Sequence, residues 1–211
     1  MSRTYARKTL SALHLKQRRT LACRGAISYI GHFLDSQRKE VLRKASMLGI
    51  EKGEIPFLPV IPFTHRSFHD QMPMIEIAGK KGQNNTCQDA CITEYTPYLH
   101  RRPWYIFRVD IGMPLGGRSI AEEIERLRTL GRRPLLTEEV IGLCVHASPE
   151  NVSLFCSTPH SNPWSQDHLI TGVGPRDGLD GGQNIEGPTV FGLMGNLDTP
   201  RQDLRIPSCI Q

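Results

Sequence analysis

The 211-residue chain lacks long apolar runs, and its hydrophobic share of 38% is lower than in most globular domains. No stretch is apolar over the roughly 20 residues that a bilayer-spanning helix needs. The N-terminal region also lacks the continuous apolar core of a secretory signal peptide. We therefore expect a soluble protein of the cytoplasm that does not enter a membrane.

The chain also lacks the short motifs that mark several large enzyme classes. It contains no nucleophile elbow, no phosphate-binding P-loop and no dinucleotide-binding fingerprint. The glycine-rich run from Gly172 to Gly178 contains Pro175 and has no strand–helix pattern around it, so it does not qualify as such a fingerprint. No cofactor is predicted.

Cysteine is present, but not in the pattern of a disulfide framework. The six cysteines are irregularly spaced in a chain of ordinary domain length, which favours free thiols in a reducing compartment. Three residues lie between Cys87 and Cys91, and His65 and His69 would share one face of a helix, so these four are candidate metal ligands. No second cysteine pair follows at a matching distance. The alternative, a buried thiol pair with surface histidines, is therefore favoured, and no metal is predicted.

Acidic residues are absent from the first 24 positions, which carry seven lysines and arginines. Residues 1–54 contain twelve basic and four acidic residues, whereas residues 55–211 contain fourteen and seventeen. A basic, poorly ordered arm is the favoured interpretation of this asymmetry. Two alternatives stay open, namely contact of residues 1–24 with a nucleic acid or another polyanion, and an organellar transit peptide.

The clearest local pattern lies in the middle of the chain, from residue 104 to residue 146. Aromatic and β-branched residues alternate with a period of two from Trp104 to Asp110, which predicts a strand. Ser119 and Glu122 form a capping box at the start of a helix, and Gly131 is placed to end it. Thr137 is the predicted N-cap of a second helix.

The same stretch carries a resemblance to a known family. The segment GRRPLLTEEVIGLCVH, from Gly131 to His146, follows YIFRVDIG, from Tyr105 to Gly112. Together they resemble an uncharacterised bacterial family that carries domain of unknown function 5701, over roughly residues 55–152. Val140 stands where the family has glycine, and the C-terminal part of the chain is not matched. The resemblance implies a bacterial protein but no particular activity.

A candidate site follows from the predicted ends of these elements. Asp110 ends the strand, at an edge where many α/β proteins bind ligands, and His146 lies near the end of the second helix. Arg118, Arg133 and Thr137 lie near the two helix N-termini, where a small anion could bind. In the alternative interpretation, which we favour, Asp110 caps a turn and the arginines pair with Glu138 and Glu139.

The patterns together predict an α+β or small α/β fold, with a mixed sheet packed on the two capped helices. Residues 1–35 are the predicted basic arm, and residues 36–151 are the predicted single domain. Residues 152–211 are rich in glycine and proline, so a mostly irregular tail is expected there.

Three functions are compatible with these predictions. The favoured one is a small binding or interaction module of unknown ligand. The first alternative is an enzyme that acts on a small anionic substrate through Asp110 and Arg118 or Arg133. The second alternative is nucleic-acid contact through the basic N-terminal arm.

Overall fold

The predicted α+β class is confirmed by a computed structural model of the chain. It describes residues 7–77, 79–84, 102–147, 154–156, 160–161, 168–175, 188–195, 197–198, 202 and 204–210. The described residues form five α-helices: α1 (Arg7–Cys23), α2 (Ile27–Met47), α3 (Phe68–Gln71), α4 (Ile120–Thr129) and α5 (Thr137–Ala147). A 3₁₀ turn over Met72–Met74 follows α3.

Twelve short strands accompany these helices within the described ranges. They are β1 (Ile55–Val60), β2 (Glu76–Ile77), β3 (Lys80–Lys81), β4 (Gln83–Asn84), β5 (Trp104–Val109), β6 (Arg132–Pro134), β7 (Leu154–Cys156), β8 (His160–Ser161), β9 (His168–Pro175), β10 (Pro188–Gly195), β11 (Leu204–Arg205) and β12 (Ser208–Ile210). No helix of the described part is long and apolar enough to cross a bilayer.

The central β-structure joins two antiparallel pairs, β1 with β5 and β12 with β6. A bridge between Asp110 and Ser208 links the pairs. In the first pair the register places Pro56, which has no backbone N–H, opposite Arg108. Arg108 has a left-handed φ of 50°, so the backbone of β5 departs from regular strand geometry where its partner cannot donate.

The remaining strands form a mixed sheet and a small hairpin. The mixed sheet has the order β11-β7-β9-β10-β4, with β8 paired to β9, and its β4–β10 and β7–β11 pairs are parallel. The hairpin pairs β2 with β3. The predicted mixed sheet is therefore present, but most of its strands come from the glycine- and proline-rich part of the chain.

The main hydrophobic core lies where α5 packs on β1 and β5. Its buried members include Leu58, Val60, Val140 and Leu143. Helix α5 approaches β1 closely at Gly142, where a Cβ would lie 3.3 Å from the backbone carbonyl oxygen of Pro59. A glycine at this position therefore allows the helix to pack on the strand without displacing its backbone.

The prediction of a poorly ordered arm over residues 1–35 is wrong for the described residues of that range. Helix α1 and the first part of α2 lie there, and Leu10, Leu21 and Leu34 are almost completely buried. The buried positions of α1 recur at helical spacing, but His14 and Gln17 stand among them and mask the apolar pattern. Helix α2 likewise begins at Ile27, inside the range predicted as an arm.

The prediction of a mostly irregular tail after residue 151 also needs correction, because six strands lie within that range. Leu204, Ile206 and Cys209 are buried in the hydrophobic clusters. Leu204 and Cys209 lie in β11 and β12, which are only two and three residues long and pair with strands distant in sequence. Such strands leave no period-two pattern long enough to recognise.

Candidate functional site

Asp110 is exposed and stabilises the turn that follows β5. Its Oδ1 accepts a hydrogen bond from the backbone N–H of Gly112 at 2.9 Å. Its own backbone exchanges two hydrogen bonds with Ser208, of 2.8 and 2.9 Å. This is the turn-capping role of the alternative interpretation. Gly112 has a φ of 80°, and a Cβ there would meet the carbonyl oxygen of Ile206 at 2.7 Å, so the turn requires glycine.

Arg118 lies beside the N-terminus of α4, where a carboxylate of the chain itself already caps the helix. The Ser119 hydroxyl accepts from the backbone N–H of Glu122 at 3.1 Å, and Glu122 Oε2 accepts from the Ser119 N–H at 2.8 Å. The predicted capping box is thus confirmed. Arg118 donates to the carbonyl oxygen of Leu115 and lies 3.4 Å from a carboxylate oxygen of the buried Glu123.

Arg133 is held by a completely buried carboxylate at the start of α5. Its Nη1 and Nη2 each lie 2.7 Å from an oxygen of Glu139, which is 0% exposed. Trp104 Nε1 and the backbone N–H of Leu136 donate to the same carboxylate at 3.0 and 2.8 Å. Glu139 therefore occupies the position at this helix terminus where an external anion could have bound.

The first turn of α5 differs from the prediction in a further respect. Thr137 is the first helical residue rather than the N-cap, so the capping position falls on Leu136. Glu138 is also buried, but burial raises its pKa, and the charge of Glu139 adds to that effect. Of these two neighbouring acids, Arg133 pairs with Glu139.

His146 lies at the far end of α5. It lies nine positions after Thr137, which corresponds to roughly 13 Å along the helix axis. Its two ring nitrogens are buried and have no hydrogen-bond partner among the described residues. Burial, with a smaller effect from the charge of Lys16, lowers the pKa of His146 to about 4. The structure therefore separates His146 from the proposed anion-binding residues at the start of α5.

The candidate metal ligands are only partly within the described ranges. His65 lies in a turn and His69 in the short helix α3, so the two do not share the face of one helix, and both are exposed. Among the described residues no cluster of three or more metal-ligating side chains is found. Cys87 and Cys91 lie outside the described residues. Cys144 is buried, which raises its thiol pKa to about 12.

A buried ionic network near β5 was not predicted. Glu54 accepts from Arg108 Nε at 2.8 Å and from Arg132 Nη1 at 2.5 Å, and Arg132 Nε donates to the Ser208 hydroxyl at 2.9 Å. Burial alone would raise the pKa of Glu54, but hydrogen bonds from Arg108, the Glu51 backbone and Arg132 outweigh it and lower that pKa. The arginine hydrogen bonds of this network join residues that are 24 to 78 positions apart, so no local sequence motif indicates them.

The strongest concentration of charge is on the helical hairpin formed by α1 and α2, here called the basic hairpin (residues 7–47). It contains ten lysines and arginines and only two acids. Arg18 pairs with Asp35 at 2.9 Å, and Arg43 pairs with Glu40.

Six exposed cations in the described part of the hairpin have no acidic partner within 4 Å. Of these, Arg38 donates to the Ser11 hydroxyl at 2.8 Å, and Lys44 lies over the Phe107 ring. The other four have no hydrogen bond, ion pair or ring contact with another described side chain and are here called unpaired: Lys8, Lys16, Arg19 and Lys39.

Two open grooves run beside these cations. The α1 groove, of about 660 Å³, is bounded by the C-terminal half of α1 and by Glu76 of β2, and it contains Lys16 and Arg19. The interhelical groove, of about 680 Å³, lies between α1 and α2 and contains Lys8 and Lys39. Each groove thus contains two of the four unpaired cations.

No family model, no curated protein and no protein of known structure matches this chain.

Proposed function

We propose that the protein is a binding module that contacts the phosphate backbone of a nucleic acid through its basic hairpin. The observation that carries this proposal is the set of four exposed, unpaired cations on two packed helices. Cations on a folded scaffold lose less conformational freedom on binding than cations on a flexible arm, so more of the electrostatic gain remains as affinity. A cytoplasmic location is part of the same proposal.

Phosphate contact accounts for the charge pattern better than a structural role does. The hairpin carries a formal net charge of +8, and such a surface attracts polyanions and accelerates their association. Lysine and arginine contacts to phosphates give affinity and orientation but little sequence information. The module is therefore expected to bind nucleic acid with low sequence specificity.

A membrane surface is a less suitable partner for this hairpin. An interfacial helix buries an apolar face in the lipid headgroup region. The apolar face of α1 is already used, since Leu10 and Leu21 are buried within the protein. Leu15 is the large apolar residue that α1 leaves exposed. The rest of the exposed face includes the charged Lys8, Lys16 and Arg19 and the small Ala12, Ala22 and Cys23, so the described part of α1 offers no second large apolar side chain to a lipid.

The alternative of an enzyme acting on a small anion finds less support. Asp110 is engaged in a turn, and Arg133 is engaged with the buried Glu139. Arg118 lies beside a helix terminus that Glu122 already caps. Each predicted site residue at these termini therefore has a structural use within the fold.

Fluorescence anisotropy with a fluorescein-labelled 20-nucleotide single-stranded RNA, and with a DNA duplex of equal length, tests the proposal. The variant protein carries Lys8→Gln, Lys16→Gln, Arg19→Gln and Lys39→Gln. A two-charge control removes exposed cations from other elements, through Lys81→Gln and Arg128→Gln, and its loss of affinity is compared with that of the variant per charge removed. Deleting residues 1–24 is unsuitable, because it would also remove buried residues of α1.

The unsubstituted protein is expected to bind more weakly as salt increases. Loss of four phosphate contacts should reduce the slope of log affinity against log salt by about 3 for single-stranded RNA. The control should keep both its affinity and its slope. Binding that is independent of salt, or an equal loss per charge in the control variant, would refute the proposal. Anionic vesicles that bind more tightly than RNA would assign the hairpin to a membrane instead.

A further inference from the structure

The α1 groove combines three cations, which could bind a phosphate, with the apolar side chains of Ala12, Leu15 and Cys23. Lys16 and Arg19 are one helical turn apart on the exposed face of α1, and Arg24 follows just after the helix. Among the described residues, the acid in the lining is Glu76, which faces the helix from β2. The volume of about 660 Å³ lies in the range usual for small-ligand sites, roughly 300–1,000 Å³.

The three cations of this groove are not equivalent. Lys16 and Arg19 have no acidic partner among the described residues, whereas Arg24 forms an ion pair with Glu76. The side chain of Arg24 is 24% exposed and that of Glu76 is 38% exposed, so water and ligands can reach the pair. A guanidinium binds phosphate and carboxylate with the same two-pronged geometry, so a phosphate in this groove would compete with Glu76 for Arg24.

We infer that the α1 groove binds one phosphate group, that Lys16 and Arg19 contact it, and that Glu76 restricts its binding by holding Arg24. This inference rests on the proposed function and names the place on the hairpin where a phosphate binds. The phosphate belongs either to a nucleic-acid strand or to a small phosphorylated molecule. Glu76 is then the residue that tunes affinity, because its charge repels the ligand and occupies one of the cations.

The substitution Glu76→Gln tests this arrangement, since it removes the competing charge and keeps the shape of the side chain. With the labelled RNA at constant salt, Glu76→Gln should tighten binding by about twofold to fivefold, the scale of an exposed charge pair. The variant Lys16→Gln/Arg19→Gln should weaken binding and abolish the effect of Glu76→Gln. Lys8→Gln/Lys39→Gln, in the interhelical groove, should leave that effect intact.

A second variant guards against a change in folding. Arg24→Gln should weaken RNA binding, and combining it with Glu76→Gln should cancel most of the gain of the latter. Thermal unfolding confirms that each variant is folded before its affinity is interpreted. Unchanged or weaker binding by folded Glu76→Gln, or an equal gain in the Lys16→Gln/Arg19→Gln background, overturns the inference.

The outcomes separate this inference from the proposed function. If the unsubstituted protein binds neither RNA nor duplex DNA, the proposed function fails. If it binds with the expected salt dependence but loses no more affinity in Lys16→Gln/Arg19→Gln than in the control with Lys81→Gln and Arg128→Gln, only the inference fails. Inorganic phosphate and pyrophosphate then distinguish the sources. Displacement of RNA by either ion at constant ionic strength supports a small phosphorylated ligand, and its absence supports the strand itself.

Discussion

Two adjacent glutamates at the start of α5 have different environments. Glu139 accepts four hydrogen bonds while fully buried, whereas burial raises the pKa of Glu138. The sequence places both acids in the first turn of a helix, where either could complement the helix dipole or pair with an arginine. Only the packing around Trp104 and Arg133 distinguishes them.

The substitution Glu139→Gln is expected to lower the free energy of unfolding by about 2–4 kcal/mol, because it leaves Arg133 without its counter-charge. The loss stays below that of a fully buried pair, since the Arg133 side chain is 32% exposed. Urea denaturation at pH 7 measures the change. Glu138→Gln is the matched control and should cause no loss, because the fold disfavours the charged form of Glu138. A similar loss in both variants would contradict this assignment.

His146 gives the protein a pH-dependent stability. Its folded-state pKa of about 4 lies below the ordinary value of 6.5, so folding excludes a proton that the unfolded chain would bind. The corresponding stability is present above pH 6.5 and is lost as the pH falls towards 4. By linkage the loss is about 3 kcal/mol.

The substitution His146→Met removes this titration and should flatten the decline in stability between pH 6.5 and 4. The free energy of unfolding from urea titrations at half-unit steps of pH measures it. Part of the decline should remain, because burial also lowers the pKa of His14. A pH profile unchanged in His146→Met would show that other groups dominate this range.

At the scale of elements, the sequence predicted best where the signals are local. The capping box of α4 lies within four residues, and Gly131 follows the helix with the left-handed φ of 66° that the pattern predicts. The strand predicted from Trp104 is found as β5. Helix α1 was missed because its buried face includes two polar residues, whose partners are distant. His14 Nε2 lies 3.2 Å from the Tyr105 hydroxyl, and Gln17 donates to the Phe57 carbonyl oxygen at 2.8 Å.

The packing of α1 predicts different costs for two leucines of the same helix. Leu21 is 2% exposed in the main core, whereas Leu15 is 42% exposed. Leu21→Ala should lower the free energy of unfolding by about 2–4 kcal/mol, since it leaves a cavity. Leu15→Ala should change it by no more than about 0.5 kcal/mol. The midpoints of urea-induced unfolding measure both changes in stability. Equal and small effects of the two substitutions would indicate that α1 does not pack on the rest of the protein.

At the scale of the whole molecule, the C-terminal residues complete the central β-structure. Strand β12 pairs with β6, and Ser208 bridges to Asp110 at the end of β5. The Ser208 hydroxyl and carbonyl oxygen also accept hydrogen bonds from the buried Arg132. A boundary at residue 151, where composition changes, therefore does not coincide with the limit of packing.

Removal of residues 204–211 should abolish stable folding. The deleted segment buries Leu204, Ile206 and Cys209, and each large apolar side chain contributes about 1.5–3 kcal/mol. The summed free energy of burial that the deletion removes is comparable with the net stability of a typical domain, about 5–15 kcal/mol. Circular dichroism during thermal unfolding measures the outcome. A control lacking only Gln211 should unfold cooperatively, and cooperative unfolding of the shorter chain at the same temperature would show that β12 is dispensable.

The sequence by itself determined the α+β class, the capped helix α4, the strand β5 and the excess of positive charge near the N-terminus. Each depends on composition or on residues within one or two turns of one another. Only the tertiary structure decided that Glu139 binds Arg133 and that the basic segment folds into a hairpin. Arg133 and Glu139 are only six positions apart, but Trp104, which donates to the same carboxylate, is 35 positions away from Glu139, and the Arg18–Asp35 contact of the hairpin spans 17 positions. Burial and hydrogen-bond partners at such distances leave no periodic pattern in a single sequence.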